Sequence, residues 1–561
     1  MSKDGVSRKD FLKGAATGAV GIAAMQILGG CATGPRGITN SADSIRGQGE
    51  KAAGGWRTPD APITKVSRTV DTDVLVVGAG NGGLFAAAAA AEKGAKVIVL
   101  ERNGMIGTGR EWIGAIGSRA QKAAGIDIDK NEIVNEICRY ASHRVDQRLI
   151  NLWAEKSGET VDWLESVAKD YGVKVLVETD AGKETGGPYH PYKIQHNLQN
   201  DQKAVESTQL LKDKLGKMGV SILLETPMVQ LIRSDKGERR VSGAIAKSKE
   251  GYIRFNARKG VILATGGYSN NLDMLGCENP IAVRSCATTA SHSGSRGDGI
   301  KAATWIGAAK DEVPTVMIFD RGGLPVGEKT GDFSKGNFLH MGSQPFLKVN
   351  TKGERFCNES VPYNDIIHAA SLEPGDNYCM IWDAAWREQT RQFHTIGCSR
   401  LQPSPSGSKL LLFSEEATAG FHEKVLMPAH IVVQADTIEE LADKLQVPRD
   451  TLAATVKRYN ELCAKGNDDD FGKEAYRMLP LLKPPFRGAH LAGQLLCTLD
   501  GLRINTRLQV LDTENQVIPG LYAAGNDSGG FFADNYPEYL PGLACGRTIT
   551  FGRLAGQYAA D

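Results

Sequence analysis

The chain has 561 residues, with 66 Lys and Arg against 65 Asp and Glu, for a formal net charge of +1. That balance excludes a polyanion-binding role such as nucleic-acid recognition, and the length allows two or three domains with large cores. The 65 glycines fall mostly in turns between apolar strands, the distribution of an α/β protein rather than of a low-complexity chain.

The first segment is not fold. Ser7 to Lys13 is a charged start, Gly14 to Gly30 is a mildly apolar Gly/Ala-rich run, and Leu28-Gly29-Gly30-Cys31 closes it. This order of regions predicts an export signal over residues 1–31. Ser7-Arg8-Lys9-Asp10-Phe11-Leu12-Lys13 is similar to a twin-arginine signal, with Lys9 in place of the second arginine. The Leu-Gly-Gly-Cys run is similar to a bacterial lipoprotein box, with Cys31 as the lipidated residue. The apolar run is short and weakly hydrophobic for a membrane span. Residues 32–69, without hydrophobic periodicity, read as a flexible tether. The expected location is the cell envelope, periplasmic or membrane-anchored through lipid on Cys31.

The chain then turns on one stretch. Asp73 to Val77 is a buried-strand pattern, and Gly78, Gly80 and Gly83 complete G-x-G-x-x-G with Asn81 and Gly82 inside it. An alanine-rich helix from Leu84 to Glu92 follows, then a second strand, Lys96 to Leu100, ending on Glu101. The glycines allow a tight turn and close backbone approach to a pyrophosphate on the helix N-terminus. Glu101 stands where a carboxylate accepts from an adenosine ribose. Arg102 and Thr108 are further cofactor candidates. The glycine-broken segment from Gly104 to Trp112 lets backbone lie against a flat ligand.

Ile128 to Tyr171 is helical by period, Leu176 to His196 irregular, and Leu198 to Met218 an amphipathic helix. Alternating strands follow over 220–232, 240–247 and 252–255. The strand-into-glycine theme returns at Lys259 to Tyr268, with Ala264, Thr265 and Gly266, and at Ile518 to Asn526, with Gly525 and Asn526. The last helix opens at Pro541-Gly542-Leu543, where backbone N–H groups of Gly542 and Leu543 would face a carbonyl or anionic edge. One cofactor domain is therefore expected from both chain ends, 70–315 and 491–561, around an inserted domain at 316–490. That insertion carries helices at Thr437 to Leu445 and Pro448 to Cys463. The ten cysteines show no CxxC, and no two histidines have metal spacing, so no haem, iron–sulfur cluster or catalytic metal is expected. Reduced, mostly buried thiols are expected instead.

Six motifs in order carry a resemblance to the flavoprotein subunit of the fumarate reductase/succinate dehydrogenase superfamily. They are Val77 to Gly83, Ala264 to Tyr268, Gly297 to Ile300, Val349 to Glu359, Gly520 to Gly525 and Thr550 to Arg553. The chain is most similar to the exported branch that includes fumarate and urocanate reductases and 3-ketosteroid dehydrogenases. The resemblance implies FAD in the glycine turn, a Rossmann-like FAD domain with an α+β capping domain, and hydride transfer between flavin N5 and an activated C=C bond.

The resemblance also assigns site residues. Arg387, four residues past Asp383, takes the position of the family's proton-donating arginine, and Glu359 that of its relay glutamate. The arginine that follows in the family is missing, and Tyr363 stands as a substitute. The alternative for Arg387 is a surface cation paired with Asp383. The family's substrate histidine is here Cys497, and its second substrate arginine falls near Tyr539. No basic residue occurs between Arg507 and Arg547. A dicarboxylate needs about two cationic clamps, so fumarate is not the expected substrate. Trp112, Phe531, Phe532, Tyr536 and Tyr539 suit a flat apolar or aromatic one. The expected reaction is reduction of a bulky α,β-unsaturated acid or enone, with electrons from a membrane cytochrome or a small flavoprotein. The alternatives are a ketosteroid-type dehydrogenase with Tyr536 and Tyr539 as acid and base, or a non-catalytic flavin electron carrier.

Overall fold

Strand β1 (Arg68–Val77), apolar and buried over Val74–Val77, runs into helix α1 (Asn81–Glu92) and back into β2 (Val97–Leu100). In chain order there follow β3 (Gly251–Leu263), β4 (Val316–Leu324), helix α2 (Tyr363–Ala370), β5 (Phe486–Thr498), β6 (Val517–Ala523) and helix α3 (Leu543–Ala560). The structure, a computed structural model, describes residues 55–108, 112–178, 191–200, 203–234, 239–393, 399, 401 and 415–561. The expected export signal, Cys31 and most of the tether lie outside these residues.

β1 pairs in parallel with both β2 and β3, and β3 in parallel with β6. Val77 is in register with Leu100 and Leu263, and Leu263 with Ala523. This register aligns the carboxyl ends of four strands drawn from both ends of the chain. Parallel strands with this arrangement form their ligand crevice beyond those ends.

Helix α1 is buried on every side from Gly82 to Ala90. Its partner is α3. A Cβ on Gly552 would stand 2.4 Å from the Gly82 carbonyl oxygen, and one on Gly556 2.1 Å from that of Ala86. The alanine run and these glycines answer one another, because neither helix has room for larger residues at the contact.

The second sheet has seven strands centred on β4 and β5. It takes one strand, Cys286–Thr289, from before residue 316, and carries β5 to Thr498. Met317 of β4 pairs with Cys497 of β5. The two central strands therefore stay paired through Met317 and Cys497, near the end of β5.

Two local readings are corrected. Leu198 to Met218 is not one helix: Gln195–Asn200 is a strand paired with Lys174–Val177, and the helix is Ser207–Lys217. The strand is buried on both faces, so its sequence carries no alternation to mark it. The long helix expected over 128–171 is two, Lys130–Tyr140 and Gln147–Lys169, parted where Ser142 and His143 take positive φ. No disulfide joins the described cysteines, and no described helix is long and apolar enough to cross a membrane.

Candidate active site

The three motif glycines serve different ends. Gly78 takes φ +108°, and a Cβ there would lie 2.1 Å from the Ala264 carbonyl oxygen. A Cβ on Gly83 would lie 1.8 Å from the Gly78 carbonyl oxygen. These two close the turn. Gly80 is the reverse case, with open space where its Cβ would be, and it caps α1 without a side-chain hydrogen bond. The first turn of α1 thus has its N–H groups uncapped beside open space at Gly80, as a pyrophosphate requires. The Glu101 carboxylate is buried behind the turn and accepts from Ala79 N–H at 2.9 Å and Asn103 N–H at 2.9 Å. Arg102 pairs with Asp298 at 2.6 Å, which ties the end of β2 to the Gly297-Asp298-Gly299 turn. Gly107 N–H donates to the Ala79 carbonyl at 3.0 Å, bringing the Thr108 segment against the cradle.

Asp527, missed in the sequence, locks the other turns together. Its buried carboxylate accepts from Thr265 N–H at 2.5 Å, the Thr265 hydroxyl at 2.7 Å and Gly267 N–H at 3.0 Å. Burial pushes this carboxyl up to about 6 against those donors. Ala264 and Thr265 are thereby pinned to Gly525 and Asn526, and Gly266 takes φ +88° between them. Gly542 closes the cradle at φ +80°, its carbonyl accepting from Gly114 N–H at 2.8 Å. A Cβ on Gly542 would lie 2.8 Å from backbone atoms of Trp112, so Trp112 serves here through its main chain. Around these turns Gly78, Asn81, Arg102, Thr108, Ala264, Thr265, Gly266, Asn526, Ala544 and Cys545 are half-exposed. The open space over Gly80, the uncapped α1 N-terminus and the acid at Glu101 fit FAD.

An aromatic wall faces the α3 end of that cradle. Tyr363, the first residue of α2, stacks on Tyr536 with centroids 6.4 Å apart and planes at 15°. Phe319 stands edge-on to Tyr363 at 4.5 Å, and Phe532 lies 5.7 Å from Tyr536. The Tyr536 hydroxyl accepts from Ala544 N–H at 3.3 Å in the first turn of α3. Tyr539 is edge-on to Tyr140 at 6.2 Å. Glu538, between the two tyrosines, accepts from Tyr363 N–H at 2.7 Å and from the Ser399 hydroxyl at 3.3 Å. Cys497 is half-buried beside this group. Phe531 is a correction: fully buried and edge-on to Trp153 and Phe551, it is core rather than pocket.

Arg387 and Glu359 do not join the wall. Arg387 is exposed, its guanidinium over the Trp386 ring at 5.5 Å, and it has no ion pair among the described residues. It does not pair with Asp383 either. That carboxylate is buried and accepts from the N–H groups of Ala385, Leu482 and Lys483 at 2.8, 2.9 and 2.9 Å. Glu359 is buried in a four-charge cluster. Arg355 grips it at 2.8 and 2.9 Å and grips Asp468 at 3.0 and 2.8 Å, while Lys473 stands 3.4 Å away. Burial lowers the Lys473 ammonium to about 8. Glu359 therefore clips the 355–359 and 468–473 segments together. The spacing motif located both residues but carried no information on which way their side chains face.

Residues 73–538 match the FAD binding domain family. The chain belongs to the fumarate reductase/succinate dehydrogenase flavoprotein superfamily. It is 32% identical to the vinyl phenol reductase of Lactiplantibacillus plantarum, over 87% of this chain and 96% of that one. The open conformation of a flavocytochrome c3 fumarate reductase superposes with a TM-score of 0.66 at 26% identity, over 88% of this chain and 78% of that one. The 3-ketosteroid Δ4-(5α)-dehydrogenase of Rhodococcus jostii RHA1 shares the fold, with a TM-score of 0.64 over 89% and 98% of the two chains at 24% identity.

Within this flavoprotein, FAD is the cofactor, and it supplies the hydride when reduced. The chain's own residues hold it, orient it and close the site. Two buried arginines near that site were missed. Arg321 on β4 donates to Ser343 Oγ at 2.7 Å and Ser399 Oγ at 2.8 Å. Arg547 lies one turn into α3. Arg321 follows Asp320 and Arg547 follows Gly546, in no motif that marks either as buried.

Proposed function

We propose that this flavoprotein reduces an activated C=C bond conjugated to an aromatic ring, an arylacrylate or vinyl-arene type of substrate. The observation that carries this is the Tyr363–Tyr536 stack beside Phe532, with Cys497 where the family has a cationic substrate residue. Aromatic faces bind a flat π-system, whereas a dicarboxylate would lack its clamps. The 32% identity to a vinyl phenol reductase supports the same reading.

In this reading the aromatic wall stacks the substrate over the cofactor and excludes water. Hydride goes to the β-carbon, and Tyr536 protonates the α-carbon. The Ala544 N–H that donates to its hydroxyl stabilises the phenolate left behind, which favours release of the proton. Electrons come from a separate donor, a membrane cytochrome or a small flavoprotein. The export signal and the Leu28–Cys31 pattern support placement in the cell envelope, with lipid on Cys31 as the anchor.

The test is reoxidation of dithionite-reduced holoenzyme followed by flavin absorbance. Arylacrylates and vinylphenols should reoxidise it rapidly and fumarate slowly. Tyr536→Phe should slow the rate about 10²-fold or more, and Arg387→Ala should leave it within threefold. Rapid reoxidation by fumarate would sink the proposal. So would a preference for 3-ketosteroids over every arylacrylate, or a large loss in Arg387→Ala.

A further inference from the structure

Arg547 is a fully buried cation with no counter-ion among the described residues. Its Nη1 donates to the Ser528 carbonyl at 2.8 Å and to Ser528 Oγ at 3.1 Å, and its Nη2 to Asn526 Oδ1 at 3.4 Å. These acceptors are all neutral. Its Nε is buried without a partner among the described residues. The guanidinium lies over Phe532 at 5.1 Å and Phe531 at 5.8 Å. Asp311, within electrostatic reach, makes no ion pair with it and accepts from Gly530 N–H at 2.9 Å.

An unpaired buried ion costs several kcal/mol even after relaxation. An apolar residue of similar volume would remove that cost. Its presence therefore points to an anion that the working protein brings close. The surroundings say where. Asn526, which Arg547 holds, is half-exposed in the cofactor cradle at the end of β6. Ala544 and Cys545, one turn before Arg547 on α3, are half-exposed too, and Cys545 Sγ accepts from the Asn81 amide at 3.5 Å. The same end of α3 has no acidic residue in its first turn and no side-chain cap, so the helix dipole adds to the positive charge.

We propose that Arg547 is the fixed counter-charge for the negative charge that reduction places on the bound FAD. The inference rests on FAD being the cofactor, and not on which C=C compound is reduced. Reduction takes two electrons and one proton from an external low-potential reductant and leaves one excess negative charge. That charge departs when the hydride leaves with both electrons. Arg547 acts from behind Asn526, as a positioning residue without contact to the substrate.

The test is the two-electron midpoint potential of the holoenzyme, measured by dye equilibration without substrate. Arg547→Met should keep its FAD and lose at least tenfold in stabilisation of the reduced state, a potential about 30 mV lower. Arg547→Lys should recover most of that loss. A folded, FAD-loaded Arg547→Met within threefold of wild type would overturn the proposal. A second measurement needs no variant. The wild-type potential should change by about 30 mV per pH unit from pH 8 down to 5.5, the slope of one proton per two electrons, whereas about 59 mV per unit would mean a neutral reduced state and would also overturn it. Failure of every arylacrylate as a substrate would leave both readouts intact.

Discussion

Glu359→Gln separates a clip from a proton relay. In the wild type, two cations (Arg355 and Lys473) face two anions (Glu359 and Asp468), all buried. The substitution keeps the shape and removes one negative charge. The cluster can then restore neutrality by releasing the Lys473 proton. Because that ammonium titrates near 8, its loss at pH 7 costs roughly 1 kcal/mol. The two charge-assisted hydrogen bonds from Arg355 weaken as well, for about 1.5–3 kcal/mol. The sum, about 2.5–4 kcal/mol, overlaps the usual cost of breaking a buried pair. For a unit of 150–250 residues this corresponds to a fall in Tm of about 5–16 °C. The deficit should shrink at pH 9.5, where Lys473 is already neutral. The assay is calorimetry of wild-type and variant holoenzyme at both pH values, with turnover measured well below either Tm. Turnover per folded enzyme should stay within threefold. A Tm change under about 2 °C with a 100-fold loss of turnover would show that Glu359 carries protons and refute the clip.

Gly83→Ala should abolish flavin retention, because the new Cβ would collide with the Gly78 carbonyl oxygen at 1.8 Å; the flavin-to-protein absorbance ratio after purification reads this. Gly556→Ala places a Cβ 2.1 Å from the Ala86 carbonyl oxygen, forcing α1 and α3 apart, and should lower Tm by several degrees with cofactor still bound. His422 is buried against Trp382 and Trp386, and burial lowers its imidazole to about 4. The unfolded chain takes up a proton near pH 6.5 that the folded chain refuses, so the contribution of this residue is complete above pH 6.5 and is lost as pH falls toward 4. His422→Gln should therefore show a shallower loss of Tm between pH 6.5 and 4 than wild type.

The cofactor half was readable because its constraints are local. A turn that needs φ +108° at Gly78 and no Cβ at Gly83 can be met only by glycine, and those glycines stand in the sequence in fixed spacing. The alanine run of α1 marked a helix, although the glycines of α3 that bury it lie more than 460 residues away. The strand Gln195–Asn200 was not readable, since burial on both faces leaves no period to count. Asp527 was passed over because an aspartate after Gly525-Asn526 looks like an ordinary turn residue until Thr265 and Gly267 are seen donating to it.

The sequence by itself determined a dinucleotide turn and the order of the glycine turns, because glycine spacing and hydrophobic runs act over a few residues, and the resemblance carried by its six motifs implied FAD and the class of chemistry. Tertiary structure alone decided which polar groups face the site. Arg387 and Glu359 sit at the family's spacings, yet one is solvated and the other is locked by Arg355. Arg547, with no motif around it, is the buried cation behind the cofactor cradle. Side-chain direction and the identity of a counter-ion depend on elements hundreds of residues apart, and only the packed fold brings those together.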